Sequence, residues 1–226
     1  MMSLIRSRFF AAVMSAIVCC LTVAGPPVCA RQEESASQVR DRLEHGEIVV
    51  DLQTIGKMKF VTGRVLIDQP PDKVWPIMVN PFEFQKNISP RMKTVDVLVD
   101  KINKSIMKVT LDVFPISDIT YVVESTYKRT EHGARIDFHR VGGSLKDFRG
   151  HWVMNPTHNG TKTELIYSMY LDPGFYVPKW IVREGIKGEL PRTLTALRNR
   201  VKSVCEDCCS LERKTILAAM PGRPIQ

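Results

Sequence analysis

Arg135, Asp137 and His139 alternate along one stretch of the chain, and a histidine beside a carboxylate is a pair that can pass a proton to and from a substrate. On an extended strand residues two apart share a face, so these three side chains emerge together. The apolar Ile136 and Phe138 between them claim the other face, and alternating charges on an antiparallel strand mark its wet side. His151 alternates against Trp152 in the same way. Tyr121 and Tyr167 differ, because their hydroxyl groups lie within apolar runs and can donate hydrogen bonds to a buried carbonyl, although a buried tyrosine commonly finds a backbone partner instead. Gly142-Gly143 is a turn or bulge signal without the spacing of a phosphate loop. Cys205, Cys208 and Cys209 form a C-x-x-C-C cluster that suits a local disulfide with one thiol left over; zinc would want a fourth ligand close by. No catalytic residue, metal site or cofactor is assigned from these patterns.

The elements that must position these groups are strands first and one long helix last. Seven stretches alternate apolar and polar residues. Glu47 to Leu52 and Phe60 to Ile67 read as strand, with Gly56 a bend in what would be one long first strand. Pro70 and Pro71 then break the chain, and Asp72 is expected to cap a short helix patterned by Val74, Trp75, Met78 and Val79, with a further turn from Phe82 to Lys86. Strands follow over 93–99, 105–113, 119–128, 134–141, 145–154 and 163–171, separated by turn chemistry such as Glu131-His132-Gly133 and 155–160. Val182, Ile186, Leu190, Leu194, Leu197 and Val201 recur at steps of four and three, one apolar stripe on a helix that begins near Pro178 and bends near Pro191. A bent antiparallel sheet around such a helix leaves space for an apolar ligand.

The first 30 residues read as a removable leader: Arg6 and Arg8, an uncharged run from Phe9, then Val28-Cys29-Ala30, with cleavage expected after Ala30. Gly25, Pro26 and Pro27 cut the apolar run to about 16 residues, short of the roughly 20 that span a bilayer. A secreted or periplasmic mature chain is expected. Its organisation reads as a flexible segment over 31–42, a domain over 43–203 and a cysteine-containing tail over 204–226. The formal charge of +8 falls by two to +6 with the leader, which holds no acidic residue. The basic residues are spread out and lack interleaved aromatics, so no nucleic acid is expected as a partner, while transient contact with an anionic membrane surface stays open.

Three segments carry a resemblance: Ile67-Asp68-Gln69-Pro70-Pro71-Asp72-Lys73-Val74-Trp75, then Gly150-His151-Trp152, then Leu171-Asp172-Pro173-Gly174-Phe175. With the order of elements, they make residues 43–201 resemble the START-like (Bet v 1-like, SRPBCC) superfamily, close to polyketide cyclases and coenzyme Q-binding START domains. The resemblance implies an α+β helix-grip fold, a curved antiparallel sheet of about seven strands around a long C-terminal helix, with short helices after the first strand. It also implies a hydrophobic tunnel between sheet and helix for a lipid, quinone or polyketide-like molecule. Strand alternation sends Met107, Val109, Leu111, Tyr121, Val123, Ile136, Phe138, Trp152, Met154, Leu165, Tyr167 and Met169 to one face, with Ile186, Leu190 and Leu194 opposite, and these are the expected ligand-binding wall. Three functions stay open: a carrier of a hydrophobic molecule outside the cytoplasm, a cyclase or dehydratase acting on a hydrophobic carbonyl substrate, and an interaction module whose cavity has closed.

Overall fold

The computed structural model describes residues 35–112, 118–174 and 179–219, with side chains in the last span from 180 to 207. The leader, the helix start expected at Pro178, and the side chains of Cys208 and Cys209 lie outside the described residues. Eight strands form a single sheet: β1 (Val49–Ile55), β2 (Met58–Ile67), β3 (Met92–Lys101), β4 (Lys104–Leu111), β5 (Ile119–Thr130), β6 (Gly133–Gly143), β7 (Asp147–Thr157) and β8 (Lys162–Asp172). Their order is β1-β2-β8-β7-β6-β5-β4-β3, and every neighbouring pair is antiparallel. The eighth strand arises where the sequence predicts one long first strand. Ile55 pairs with Met58 across Gly56-Lys57, and Gly56, at φ 61°, turns the chain into a tight hairpin rather than a bend.

Among the described residues four helices accompany the sheet: α1 (Ala36–Glu44), α2 (Pro71–Val79), α3 (Pro81–Glu83) continued by a π turn (Phe84–Ile88), and α4 (Lys179–Ala219). Two expected boundaries need correction. The segment predicted to be flexible as far as Arg42 is helical from Ala36, because Val39 and Leu43, one turn apart, pack on Val49 and Leu66 at the outer face of the first hairpin. The cysteine cluster is part of α4 and not of a separate tail; the helix runs on through Pro191 and past Cys209, and Cys205 packs against the core. A third correction concerns the cap of α2. Pro70 is its N-cap residue and Pro71 opens it, and no side chain caps it; Asp72 sits in the first turn and pairs instead with Arg129 on β5. Asn80 does cap α3, its Oδ1 accepting from the Phe82 N–H at 3.0 Å.

The core lies on the concave face of the sheet. There Leu190, Leu194, Leu197 and Val201 of α4 are at most 2% exposed, as the apolar stripe predicts. Gly63 on β2 makes their approach possible: a Cβ there would stand 2.6 Å from Leu190 Cδ2 and 2.7 Å from Leu194 Cδ1. A side chain at this position would force Leu190 and Leu194 out of their present packing. Further along α4, Arg200 grips Glu83 through two hydrogen bonds of 2.7 and 3.0 Å, and Arg91 pairs with Glu189 at 2.8 Å. Together these ion pairs tie the short helices and the start of β3 to the long one.

Candidate functional site

Beside the contact between α4 and the sheet, room opens under the short helices. A cavity of about 130 Å³ is bounded by the inner faces of β3 to β8 and roofed by Met78 and Val79 of α2 and Pro81 and Phe84 of α3 and the π turn. Strand parity builds its wall. On β5 the inward positions are Tyr121, Val123, Ser125 and Tyr127, on β4 Met107 and Val109, and on β6 Ile136 and Phe138.

An unbroken chain of rings crosses the cavity. Trp152 and Tyr167, directly paired on β7 and β8, stack at 3.6 Å between centroids with planes 4° apart. Phe84 meets Trp152 edge-on at 5.9 Å, so the roof rests on this stack. Beyond Tyr167 the contacts continue through Phe138 (6.0 Å) and Phe148 (5.0 Å from Phe138) to Tyr121, 5.2 Å from Phe148. Gly150 leaves room for this packing, because a Cβ there would come within 2.6 Å of the Phe138 ring and 2.1 Å of the Ser168 carbonyl oxygen. Ring pairs of this kind add about 0.5–1.5 kcal/mol each beyond their buried area.

The cavity holds few polar groups. The Tyr127 hydroxyl is bonded to Ser105 Oγ at 2.5 Å. Burial pushes the Tyr121 and Tyr167 phenols far above their ordinary range, and for Tyr167 a charge on Tyr121 would add to the effect. Both are therefore neutral hydrogen-bond donors at physiological pH.

Of the fifteen expected wall residues, eight line this cavity: Met107, Val109, Tyr121, Val123, Ile136, Phe138, Trp152 and Tyr167. Met169 and Ile186 border a second cavity of about 190 Å³ under the first turns of α4, which Lys57, Lys59 and Arg183 also line. Met154, Leu165, Leu190 and Leu194 are packed solid, at most 2% exposed, and Leu111 only packs against the core. The position of the space thus corrects the expectation of one tunnel beneath the long helix: at Gly63 the helix sits too close to leave any. Sequence reasoning missed Ser125, Tyr127 and Phe148, which the same alternation would have found, and the roof residues Met78, Val79, Pro81 and Phe84, which no strand period could reveal.

The charged row faces away from the cavity. Arg135 pairs with Asp137 at 2.7 Å, His139 is exposed, and Asp137 stands opposite His151 across the β6–β7 pair. Burial and the nearby Arg135 lower the His151 pKa, with Asp137 opposing. Among the described residues no group of His, Cys, Asp and Glu side chains is arranged to hold a metal ion.

An antiparallel sheet gripping a long C-terminal helix, with an aromatic-walled cavity under short helices, defines a START-like helix-grip protein. Residues 67–198 match the family described as polyketide cyclase / dehydrase and lipid transport, and the chain belongs to that family. No curated protein matches it. Among solved structures it is similar in fold to a STAR-related lipid transfer protein from Xanthomonas axonopodis, at 18% identity and TM-score 0.59, over 69% of this chain and 93% of that one. Human STARD10 gives 12% identity and TM-score 0.59 over 77% and 82% of the two chains. The Zhui aromatase/cyclase of a Streptomyces species gives 15% and 0.56 over 64% and 94%. Both halves of the family description, polyketide chemistry and lipid transport, concern hydrophobic molecules.

Proposed function

We propose that the chain is an extracytoplasmic binding protein that holds a lipid-like or quinone-like molecule in the cavity under the short helices. The observation that carries this reading is the aromatic-walled space itself, apolar on nearly every side and roofed by short helices that rest on it through contacts such as Phe84 on Trp152. At about 130 Å³ it is smaller than the roughly 300–1,000 Å³ of most ligand pockets, so loading requires the roof to move outward. The Glu83–Arg200 and Arg91–Glu189 pairs are the contacts such a movement would strain. The leader supports the extracytoplasmic part of the proposal, and the net positive charge would favour brief contact with an anionic membrane where such a ligand is exchanged.

Family membership and the two tyrosine hydroxyl groups also favour a second reading, a cyclase- or dehydratase-type enzyme on a hydrophobic carbonyl substrate. The open cavity speaks against an interaction module with a closed core. Native mass spectrometry of the purified protein, before and after solvent extraction, tests the carrier reading. A co-purifying apolar molecule lost on extraction is expected; a protein that emerges empty and takes up no added lipid would remove the proposal. The intact mass of protein recovered from outside the cytoplasm should begin at Arg31, and a retained leader would withdraw the location.

A further inference from the structure

Among the described residues, three hydroxyl groups of the cavity wall have no protein hydrogen-bond partner. Tyr121, 6% exposed, and Ser125, 5% exposed, both point inward from β5, and Tyr167 faces them from β8. Among the described residues none of the three side chains hydrogen-bonds another protein group, whereas the fourth hydroxyl of the wall, on Tyr127, is satisfied by Ser105. Buried hydroxyl groups are almost always paired, and leaving one unpaired costs free energy comparable to a lost hydrogen bond. Strand neighbours occupy the backbone groups around them, so the partner these three await must lie in the cavity. Water can serve while the cavity is empty; a ligand that displaces it must replace its bonds.

From this arrangement we infer that the cavity selects a hydrophobic molecule bearing an oxygen acceptor, such as the carbonyl of a ketone, quinone or ester, which Tyr121, Ser125 and Tyr167 hold by donating hydrogen bonds. A pure hydrocarbon of the same shape would strand all three donors. Tyr121 and Tyr167 line the same small cavity and are joined through the rings of Phe138 and Phe148, so one bound molecule can meet both. Trp152, stacked on Tyr167, fixes that ring against rotation and adds a flat apolar surface for the rest of the molecule. The inference rests on the carrier reading and deepens it by naming the chemistry of the ligand's polar end.

The test compares two small probes of one shape, 1-indanone and indane, by titration calorimetry on the wild-type protein and on Tyr121→Phe, Tyr167→Phe and Ser125→Ala. The wild type should prefer the ketone over the hydrocarbon by roughly tenfold or more, and each substitution should reduce that preference by about threefold to tenfold. Indane affinity should not fall and should rise where the deleted donor was one the hydrocarbon left unpaired, which separates lost hydrogen bonding from lost packing. Thermal melting identifies any variant that misfolds, and the remaining two then carry the comparison. Equal affinity for both probes, unmoved by the substitutions, overturns the inference while leaving an apolar binding site standing. Failure of both probes to bind overturns the inference and the carrier reading together.

Discussion

Two parts of one concave sheet face inward with similar residues and end in opposite states. Over β2, centred on Gly63, four apolar side chains of α4 come down until no space is left, and Leu194, Leu197 and Val201 are 0% exposed. Over β4 to β7 the short helices stand farther off, and rings and methionines surround a void. The boundary runs between adjacent strands, since Gly63 pairs with Tyr167, and Tyr167 in turn with Trp152. Hydrophobicity is common to both parts, so it cannot be what separates them. The difference is the approach distance of the covering helix, set at one place by a glycine and at the other by the bulk of Phe84 resting on Trp152. Packing at the first part stabilises the fold; incomplete packing at the second leaves a site.

The largest effect should come from the filled part. Leu194→Ala removes a fully buried side chain and should cost about 2–5 kcal/mol in chemical denaturation, because the rigid surroundings collapse only partly into the hole. Its effect on uptake of a fluorescent lipid should be small by comparison. Glu83→Gln loosens the roof and should cost about 1–2 kcal/mol, since Arg200 loses a charge-assisted partner. Its pH dependence has a definite sign. The Arg200 hydrogen bonds hold the Glu83 carboxyl below the usual carboxylate range, with Asn87 adding to this and burial opposing. The resulting stability is complete above the unfolded-state value of about 4.3 and is lost as pH falls through the lower folded-state value. Denaturation of Glu83→Gln across that window should therefore lack part of the acid sensitivity of the wild type.

Phe138→Trp sharpens the contrast from the empty side. It adds volume where the void is, so lipid uptake should fall about tenfold while stability changes by less than about 1.5 kcal/mol. Earlier melting with unchanged uptake would make Phe138 ordinary core. The smallest effect belongs to the outer face, where Asp137→Asn breaks only a half-exposed pair with Arg135 and should alter stability by no more than about 0.5 kcal/mol and uptake not at all.

Strand alternation made the inner face legible before any coordinates. Tyr121, Val123, Ile136, Phe138, Trp152 and Tyr167 point inward because a period of two allows nothing else, and the same rule sent Arg135, Asp137 and His139 outward. The stripe on α4 was legible for the same reason, at a period near 3.6. What alternation could not say is whether an inward residue meets a helix or a void. Leu165 and Tyr167 have the same parity on the same strand, yet the first is sealed and the second lines the cavity. That outcome depends on Gly63 of β2, six strands earlier in the chain although paired with Tyr167 in the sheet, whose meaning appears only once Leu190 and Leu194 lie over it. The roof was illegible for another reason: a helix of nine residues followed by three, then a π turn, carries too few turns for its period to fix which side faces down. The first hairpin was missed because a single glycine within a strand pattern marks a bulge as readily as a turn.

Methionine-methyl nuclear magnetic resonance tests the location of the site most directly, because methionines mark both cavities and the packed core. Met78, Met92 and Met107 line the cavity under the short helices, Met58 and Met169 border the one under the start of α4, and Met154 lies in solid core. Titration with 1-indanone should shift the methyl signals of Met78, Met92 and Met107 and leave those of Met58, Met154 and Met169 in place. Shifts confined to Met58 and Met169, or none at any of the six, would contradict the account.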